Sequence, residues 1–202
     1  MVDLAAGTGK LTRLLSERGL RVVAVEPIDE MRRLLEERVP GVDARAGTAE
    51  SMPLADGAAR VVTVAQAFHW FDATRALPEI ARVLERDGAL VIVGNARDRT
   101  DPLQAALDEV IRPYRARYPN HRWDEKLGAT ESFHPPQEAT FANEQLLDRA
   151  AVVERVASIS WIAALPDGTR RHVLDEIHAL VADREEPIRL PYTTEVFVCR
   201  RR

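Results

Sequence analysis

Val2-Asp3-Leu4-Ala5-Ala6-Gly7-Thr8-Gly9-Lys10 decides how this chain folds. Met1 to Ala5 is apolar except for Asp3 and reads as a buried strand. Ala5, Gly7 and Gly9 supply a turn. Lys10 to Arg18, with Leu11, Leu14 and Leu15 on one face, reads as a helix that stops at Gly19. Glycines between a strand and a helix let a ligand approach the backbone, because no β-carbon is in the way. The helix N-terminus adds N–H groups that favour negative charge. Two nucleotide loops fail here. A GxxxxGK[ST] loop would have Leu4 at its first glycine and Leu11 after the lysine, and a GxGxxG loop would have Thr12 at its third glycine. What remains is an acid followed by small-x-Gly-x-Gly, with a second acid, Glu26, ending the next apolar run, RVVAVE.

Working outward, strand and helix signals alternate. Asp29 to Arg38 predicts a helix with Met31, Leu34 and Leu35 inward. Val42 to Ala46 predicts a short strand, and Arg60 to Gln66 a buried one. Thr74 to Leu84 predicts a helix facing the sheet through Leu77, Ile80, Ala81 and Leu84. After the Asp87-Gly88 turn, Ala89 to Gly94 predicts another strand. Apolar strands separated by helices mean a parallel sheet covered on both faces, with right-handed crossovers. The expected fold is therefore α/β: a doubly wound, mostly parallel, Rossmann-like sheet.

The second half reads differently. Pro102 to Arg112 has helical spacing, and Pro113 bends or ends it. Tyr114 to Pro136 is loop-like, and Thr140 to Ala142 starts a strand. Leu146 to Ser158 and Arg170 to Ala182 are expected helices. Thr193 to Cys199 is a last strand at or near the sheet edge. These divisions give one domain over 1–202: a ligand-binding half, 1–99; a helical cap where substrate is chosen, 100–191; and a closing strand, 192–202.

Composition narrows the classes. With 28 basic and 32 acidic residues, the net charge of −4 gives no general field for nucleic acid. Cys199 is the single cysteine, so an intramolecular disulfide and a zinc-cysteine cluster are excluded and a reducing cytoplasm fits. No apolar run is long enough to span a bilayer, and the N-terminus lacks a charged start followed by a signal-type apolar core, so export is not expected. Only Lys10 and Lys126 are lysines; the scattered arginines are read as codon bias.

Five further segments, in order, give a family resemblance: VAVEPIDEM, GTAESMPL, RVVTVAQAFHWFD, EIARVLERDGALVIVGN and LPYTTEVFVCRR. With the first loop they resemble the class I S-adenosylmethionine-dependent methyltransferases over nearly the whole chain. The resemblance implies a seven-stranded-type sheet with one antiparallel strand, the cofactor S-adenosylmethionine and a small-molecule acceptor. It also implies residue roles. Asp3 receives the amino end of the cofactor, directly or through water. Ala5, Gly7, Thr8 and Gly9 form the backbone bed. Glu26 takes both ribose hydroxyls, since a carboxylate has two acceptor oxygens. Pro27 and Met31 line the adenine side, Ala49 offers its backbone and Glu50 its side chain to adenine, and Gln66 and Ala67 lie beneath the methionine portion. Ala5 replaces the commonest first glycine, and Thr48 stands where many relatives have an acid. Relatives carry roughly one or two helices before this strand, whereas here Met1 opens it. The expectation is a fragment, a mis-assigned start or an open pocket.

Plainer readings stand beside these. Asp3 could be a helix-proximal acid and Glu26 a solvated strand end. His69, in His69-Trp70-Phe71, reads as packing before it reads as a catalytic base. Arg112 to Trp123 mixes basic and aromatic residues but reads as a solvated loop. His172 and His178 are six apart, wrong for a same-face pair, so no metal is expected. Cys199 reads as inert. A non-catalytic protein of the same fold is one alternative. A nicotinamide-dependent oxidoreductase is the other, opposed by Thr12 and by the lack of a Tyr-x-x-x-Lys pair. The expected partner is a small molecule, with neither nucleic acid nor membrane, and a homodimer is left open.

Overall fold

The computed structural model describes residues 1–115, 127 and 130–202. In chain order the regular elements are β1 (Val2–Leu4), α1 (Lys10–Glu17), β2 (Val23–Val25), α2 (Asp29–Arg38), β3 (Asp43–Arg45), β4 (Ala59–Ala65), α3 (Ala73–Val83), β5 (Leu84–Arg97), α4 (Pro102–Ile111), β6 (Gln137–Leu147), α5 (Arg149–Ala157), α6 (Ser160–Ala163), α7 (Asp167–Val181) and β7 (Ile188–Arg200). The strands form one sheet in the order β3-β2-β1-β4-β5-β7-β6. The first five are parallel, with Asp3 opposite Ala24 on one side and Thr63 on the other. β7 runs antiparallel to β5 and β6. The doubly wound, mostly parallel sheet expected from the sequence is the fold.

The order puts a switch point at β1. From β1 the chain winds outward through β2 and β3, then returns to place β4 on β1's other side. The loops after β1 and β4 therefore leave in opposite directions at the strands' carboxyl ends, the place where ligands bind in open α/β sheets. Val2, Asp3 and Leu4 are all buried, as a strand covered on both faces must be. Asp3 is the charged exception in that strand.

The chain divides into two compact units. The first takes 1–94, the described part of 121–139, and 195–202; the second takes the described part of 95–120, and 140–194. The first unit's core joins Val2, Leu4, Val25, Val62 and Val64 of the strands to Leu77 and Ile80 of α3. The second has its own core, in which Leu103, Leu107 and Ile111 of α4 meet Val152 and Val156 of α5, Ile162 of α6, and Val173, Ile177 and Val181 of α7.

Several local expectations are corrected. The apolar face of α2 does not turn wholly inward: Leu35 is fully buried, while Met31 and Leu34 are each 39% exposed. On α1, Leu14 is exposed as well. Leu146 and Leu147 belong to β6, not to the next helix. Asp148 holds extended backbone angles and accepts the Ala151 N–H at 2.7 Å, so α5 cannot begin upstream of it. β6 starts earlier than Thr140, and β7 earlier than Thr193. The Asp87-Gly88 turn survives inside β5. Leu84 pairs with Ala59 and Ala89 with Val61, so residues 85–88 bulge out opposite one residue. α4 passes at Arg112 into a 3-10 turn, Arg112–Arg115, that contains Pro113. Residues 116–123 of the basic-aromatic stretch lie outside the described residues. No helix among the described residues is long and apolar enough to cross a membrane.

Candidate cofactor site at the switch point

Left-handed backbone builds the loop after β1. Ala5 (φ 55°), Gly7 (φ 56°) and Gly9 (φ 79°) alternate with ordinary residues, and the Gly9 N–H donates to the Ala6 carbonyl at 3.0 Å. The two glycines serve different ends. A β-carbon at Gly7 would meet nothing within 4 Å, so the backbone there faces open space. A β-carbon at Gly9 would lie 2.9 Å from Leu35 Cγ and 3.3 Å from Val39 Cγ2. Gly9 is thus the notch that lets α1 start against α2. Ala5 holds the same left-handed geometry with a side chain, at a cost of about 1–2 kcal/mol. Gln66, after β4, is the one other such non-glycine residue described (φ 57°). Both strained positions end a strand at the switch point, where backbone strain collects at functional sites.

Two buried carboxylates bracket the loop. Asp3 is 1% exposed; its Oδ2 accepts the Thr12 hydroxyl at 2.6 Å and its Oδ1 the Thr63 hydroxyl at 3.1 Å. Burial raises its pKa to about 6; the two threonine hydroxyls pull it down, and the charge of Glu26 adds a smaller upward push. Glu26 is 4% exposed and is not a solvated strand end. Its Oε2 accepts the Gly7 N–H at 2.8 Å and its Oε1 the Ile28 N–H at 3.0 Å. One side chain thus ties the first loop to the start of α2. Each oxygen keeps a second lone pair. Arg32 Nη1 donates to the Glu26 carbonyl at 3.0 Å and fixes that strand end.

The remaining expected residues fall around the same strand ends. Thr8 is half-buried, Pro27 is exposed, and Met31 is on the open side of α2. Thr48 and Ser51 bridge across a tight turn that holds Ala49 and Glu50. Ala49 is buried in the core, and Glu50 Oε1 accepts the Asp72 N–H at 3.1 Å, which ties this turn to the N-cap of α3. Gln66 is exposed, with its N–H on the Val93 carbonyl at 2.9 Å, and Ala67 packs on the core. His69 sits in a 3-10 turn, Phe68–Trp70, with its ring 4.8 Å from that of Trp70. Trp70 is exposed, whereas Phe68 is buried against Phe71.

Sequence reasoning missed Thr12, Thr63 and Arg32. A threonine nine residues after Asp3, and another inside the apolar run RVVTVA, were the available signals. Among the described residues no group of three or more His, Cys, Asp or Glu side chains could hold a metal ion. Cys199 is buried, and burial pushes its thiol up to about 11, which makes it a poor nucleophile.

The observed parts fit an adenosyl amino-acid cofactor: a backbone cradle with no side chain above Gly7, and two acceptor-only carboxylates. Comparisons with known proteins agree. Residues 2–92 match the family described as a methyltransferase domain. An uncharacterized methyltransferase of Mycobacterium tuberculosis is 39% identical over 96% of this chain and 80% of its own length. An uncharacterized methyltransferase-like protein of Schizosaccharomyces pombe is 33% identical over 98% of this chain and 80% of its own. Among solved structures, a putative type II methyltransferase from Anaeromyxobacter dehalogenans superimposes with a TM-score of 0.69 at 26% identity, covering 99% of this chain and 87% of that one. The chain belongs to the class I S-adenosylmethionine-dependent methyltransferases.

Proposed function

We propose that this methyltransferase moves the methyl group of S-adenosylmethionine to a small-molecule acceptor, and that the crevice at the ends of β1, β2 and β4 holds the cofactor. Glu26 carries the reading. It is a buried carboxylate fixed on the Gly7 and Ile28 N–H groups, with lone pairs left for a vicinal diol. Gly7 and Thr8 offer backbone to the amino-acid portion, Ala5 and Gly9 hold the loop's shape, and Asp3 lies behind it as the anionic end of the site. Pro27 and Met31 flank the adenine on one side, with Ala49 and Glu50 on the other. Gln66 and Ala67 form the floor after β4.

When bound, the cofactor supplies a methyl carbon already activated by a positive sulfur. The chain's own task is then chiefly positioning. The acceptor's lone pair forms the new bond to carbon as the carbon–sulfur bond breaks, and that electron pair stays on sulfur. A base is needed only for an acceptor that must lose a proton, and His69 is the residue proposed for it.

Calorimetric titration with S-adenosylhomocysteine tests the reading. The native chain should bind it, and Glu26→Ala should weaken binding by about 1–3 kcal/mol, the cost of losing hydrogen bonds to a charged group. Binding unchanged by the substitution would refute the ribose role. Absence of binding to the native chain would refute the cofactor site.

A further inference from the structure

Residues 46–58, between β3 and β4, carry no strand or helix. Their backbone polar groups must find partners outside a sheet ladder. The turn that holds Ala49 and Glu50 closes on itself. The Thr48 N–H donates to the Ser51 carbonyl at 3.2 Å, and the Ser51 N–H to the Thr48 carbonyl at 3.3 Å. Pro53 folds back over Gly47, where a β-carbon would lie 2.6 Å from Pro53 Cδ. Arg45 Nη1 donates to the Pro53 carbonyl at 3.0 Å. The residues on either side of Pro53 are held by two side chains of α3. Glu79 Oε1 accepts the Met52 N–H at 2.7 Å. Arg82 Nη2 donates to the Met52 carbonyl at 3.4 Å, and its Nη1 to the Leu54 carbonyl at 2.9 Å and to Asp56 Oδ1 at 2.6 Å.

Arg82 and Glu79 also grip each other as a fork, Nε on Oε2 at 2.7 Å and Nη2 on Oε1 at 2.8 Å. All five guanidinium N–H donors of Arg82 are thus in use. The pair is 33% and 16% exposed, so salt screens it less than an open surface pair. The Arg82 hydrogen bonds hold the Glu79 carboxyl below its ordinary range, which keeps it an ionised acceptor for Met52. None of these bonds involves Asp3, Glu26 or Gly7. Those residues are fixed by Thr12, Thr63 and the Ile28 N–H.

We infer that Arg82 is a positioning residue: by gripping Glu79 and the backbone of Met52 and Leu54 it sets the turn of Ala49 and Glu50, and so makes the site selective for adenine. The inference rests on the cofactor reading above, in which those two residues meet the base. A base is told from its analogues by donors and acceptors placed within about 0.5 Å. A site built to bond a polar group rejects an analogue that lacks it. A turn released at Met52 and Leu54 loses that placement, while the ribose and amino-acid contacts keep theirs.

The full chain is titrated by calorimetry with S-adenosylhomocysteine and with S-inosylhomocysteine, whose base carries a carbonyl in place of the adenine amino group. The native chain should prefer the adenosyl ligand by about tenfold or more. Arg82→Met should weaken the adenosyl ligand by about tenfold and the inosyl ligand by less than about threefold, so the preference collapses. Arg82→Lys keeps the charge but has three donors in place of five, and should lose most of the preference as well. Arg13→Gln, at an exposed arginine paired with Glu17, should leave both ligands within about twofold. Thermal unfolding is followed on the same samples, because a merely structural role would lower the melting temperature and leave the preference as it was. If Arg82→Met does not fold, Glu79→Gln decides. It keeps the side-chain volume, but an amide cannot accept from the guanidinium on both atoms, and the preference should fall by about threefold or more. Equal binding of the two ligands by the native chain would overturn the inference. So would a preference left intact in Arg82→Met (or in its substitute Glu79→Gln), or one kept in full by Arg82→Lys. Each of these outcomes leaves the cofactor site standing. No binding of either ligand by the native chain would sink the cofactor reading, and this inference with it.

Discussion

The two units treat their buried polar groups in opposite ways. In the first, every carboxylate oxygen is already held by a donor of the protein: Asp3 by Thr12 and Thr63, Glu26 by the Gly7 and Ile28 N–H groups. In the second, among the described residues, the Gln104 and Gln145 Oε1 atoms and the Arg170 Nε are buried without a hydrogen-bond partner. Groups held in this way give a loop whose shape is set before any ligand arrives, whereas buried groups without partners cost stability.

The largest expected effect separates shape from contact in the first unit. Gly9→Ala must hold φ near 79° and push a β-carbon to 2.9 Å from Leu35. Left-handed strain and overpacking together should cost about 2–4 kcal/mol of stability. Gly7→Ala carries the strain alone, about 1–2 kcal/mol, but it places a methyl group in the open space above the loop. Urea unfolding should therefore rank Gly9→Ala as the less stable variant. Calorimetry should show Gly7→Ala losing more cofactor affinity than stability. If both variants lose the two quantities in parallel, the division of labour between the glycines is wrong.

Next comes the pH dependence contributed by Asp3. Its carboxyl titrates near 3.8 in the unfolded chain and at about 6 in the folded one. The folded state therefore binds the proton more tightly, so this group's contribution is fully present below pH 4 and is lost as pH rises through about 6. The loss is on the order of 3 kcal/mol. Asp3→Asn should flatten that part of the stability curve and leave the variant at least as stable as the native chain at pH 8. It should also remove the anionic end of the proposed cofactor site. Affinity of the native chain for the cationic cofactor should then climb across the same pH range, as the site becomes charged. A native chain whose stability is level between pH 4 and pH 7 would refute the raised carboxyl.

How far the sequence carried this reading follows from the same residues. Strand–helix alternation, the glycine turn and the acids at both strand ends were legible because they depend on neighbours within a few positions. The inward face of α2 was not. Met31, Leu34 and Leu35 share one apolar stripe, and only the notch at Gly9 selects Leu35 as the residue that packs beneath it. Thr12 and Thr63 were missed because a threonine in an apolar strand reads as a β-former, and its hydroxyl acquires a purpose only when β4 is set beside β1.

The smallest expected effect lies in the second unit and asks whether an idle polar atom really is idle. Gln104 is completely buried; its Nε2 donates to the Pro191 carbonyl at 2.8 Å, which also accepts the Asp98 N–H at 3.3 Å. Its Oε1 has no hydrogen-bond partner among the described residues. A satisfied amide hydrogen bond contributes about 1 kcal/mol, and an unsatisfied buried carbonyl costs about 1–3 kcal/mol. Gln104→Met removes both in a side chain of similar volume, and Pro191 keeps its second donor. The variant should therefore match the native chain within about 1 kcal/mol, on the stabilised side. Chemical unfolding measures this directly. A loss of about 2 kcal/mol or more would mean that Oε1 is engaged after all, and the contrast between the two units would then rest on Gln145 Oε1 and Arg170 Nε.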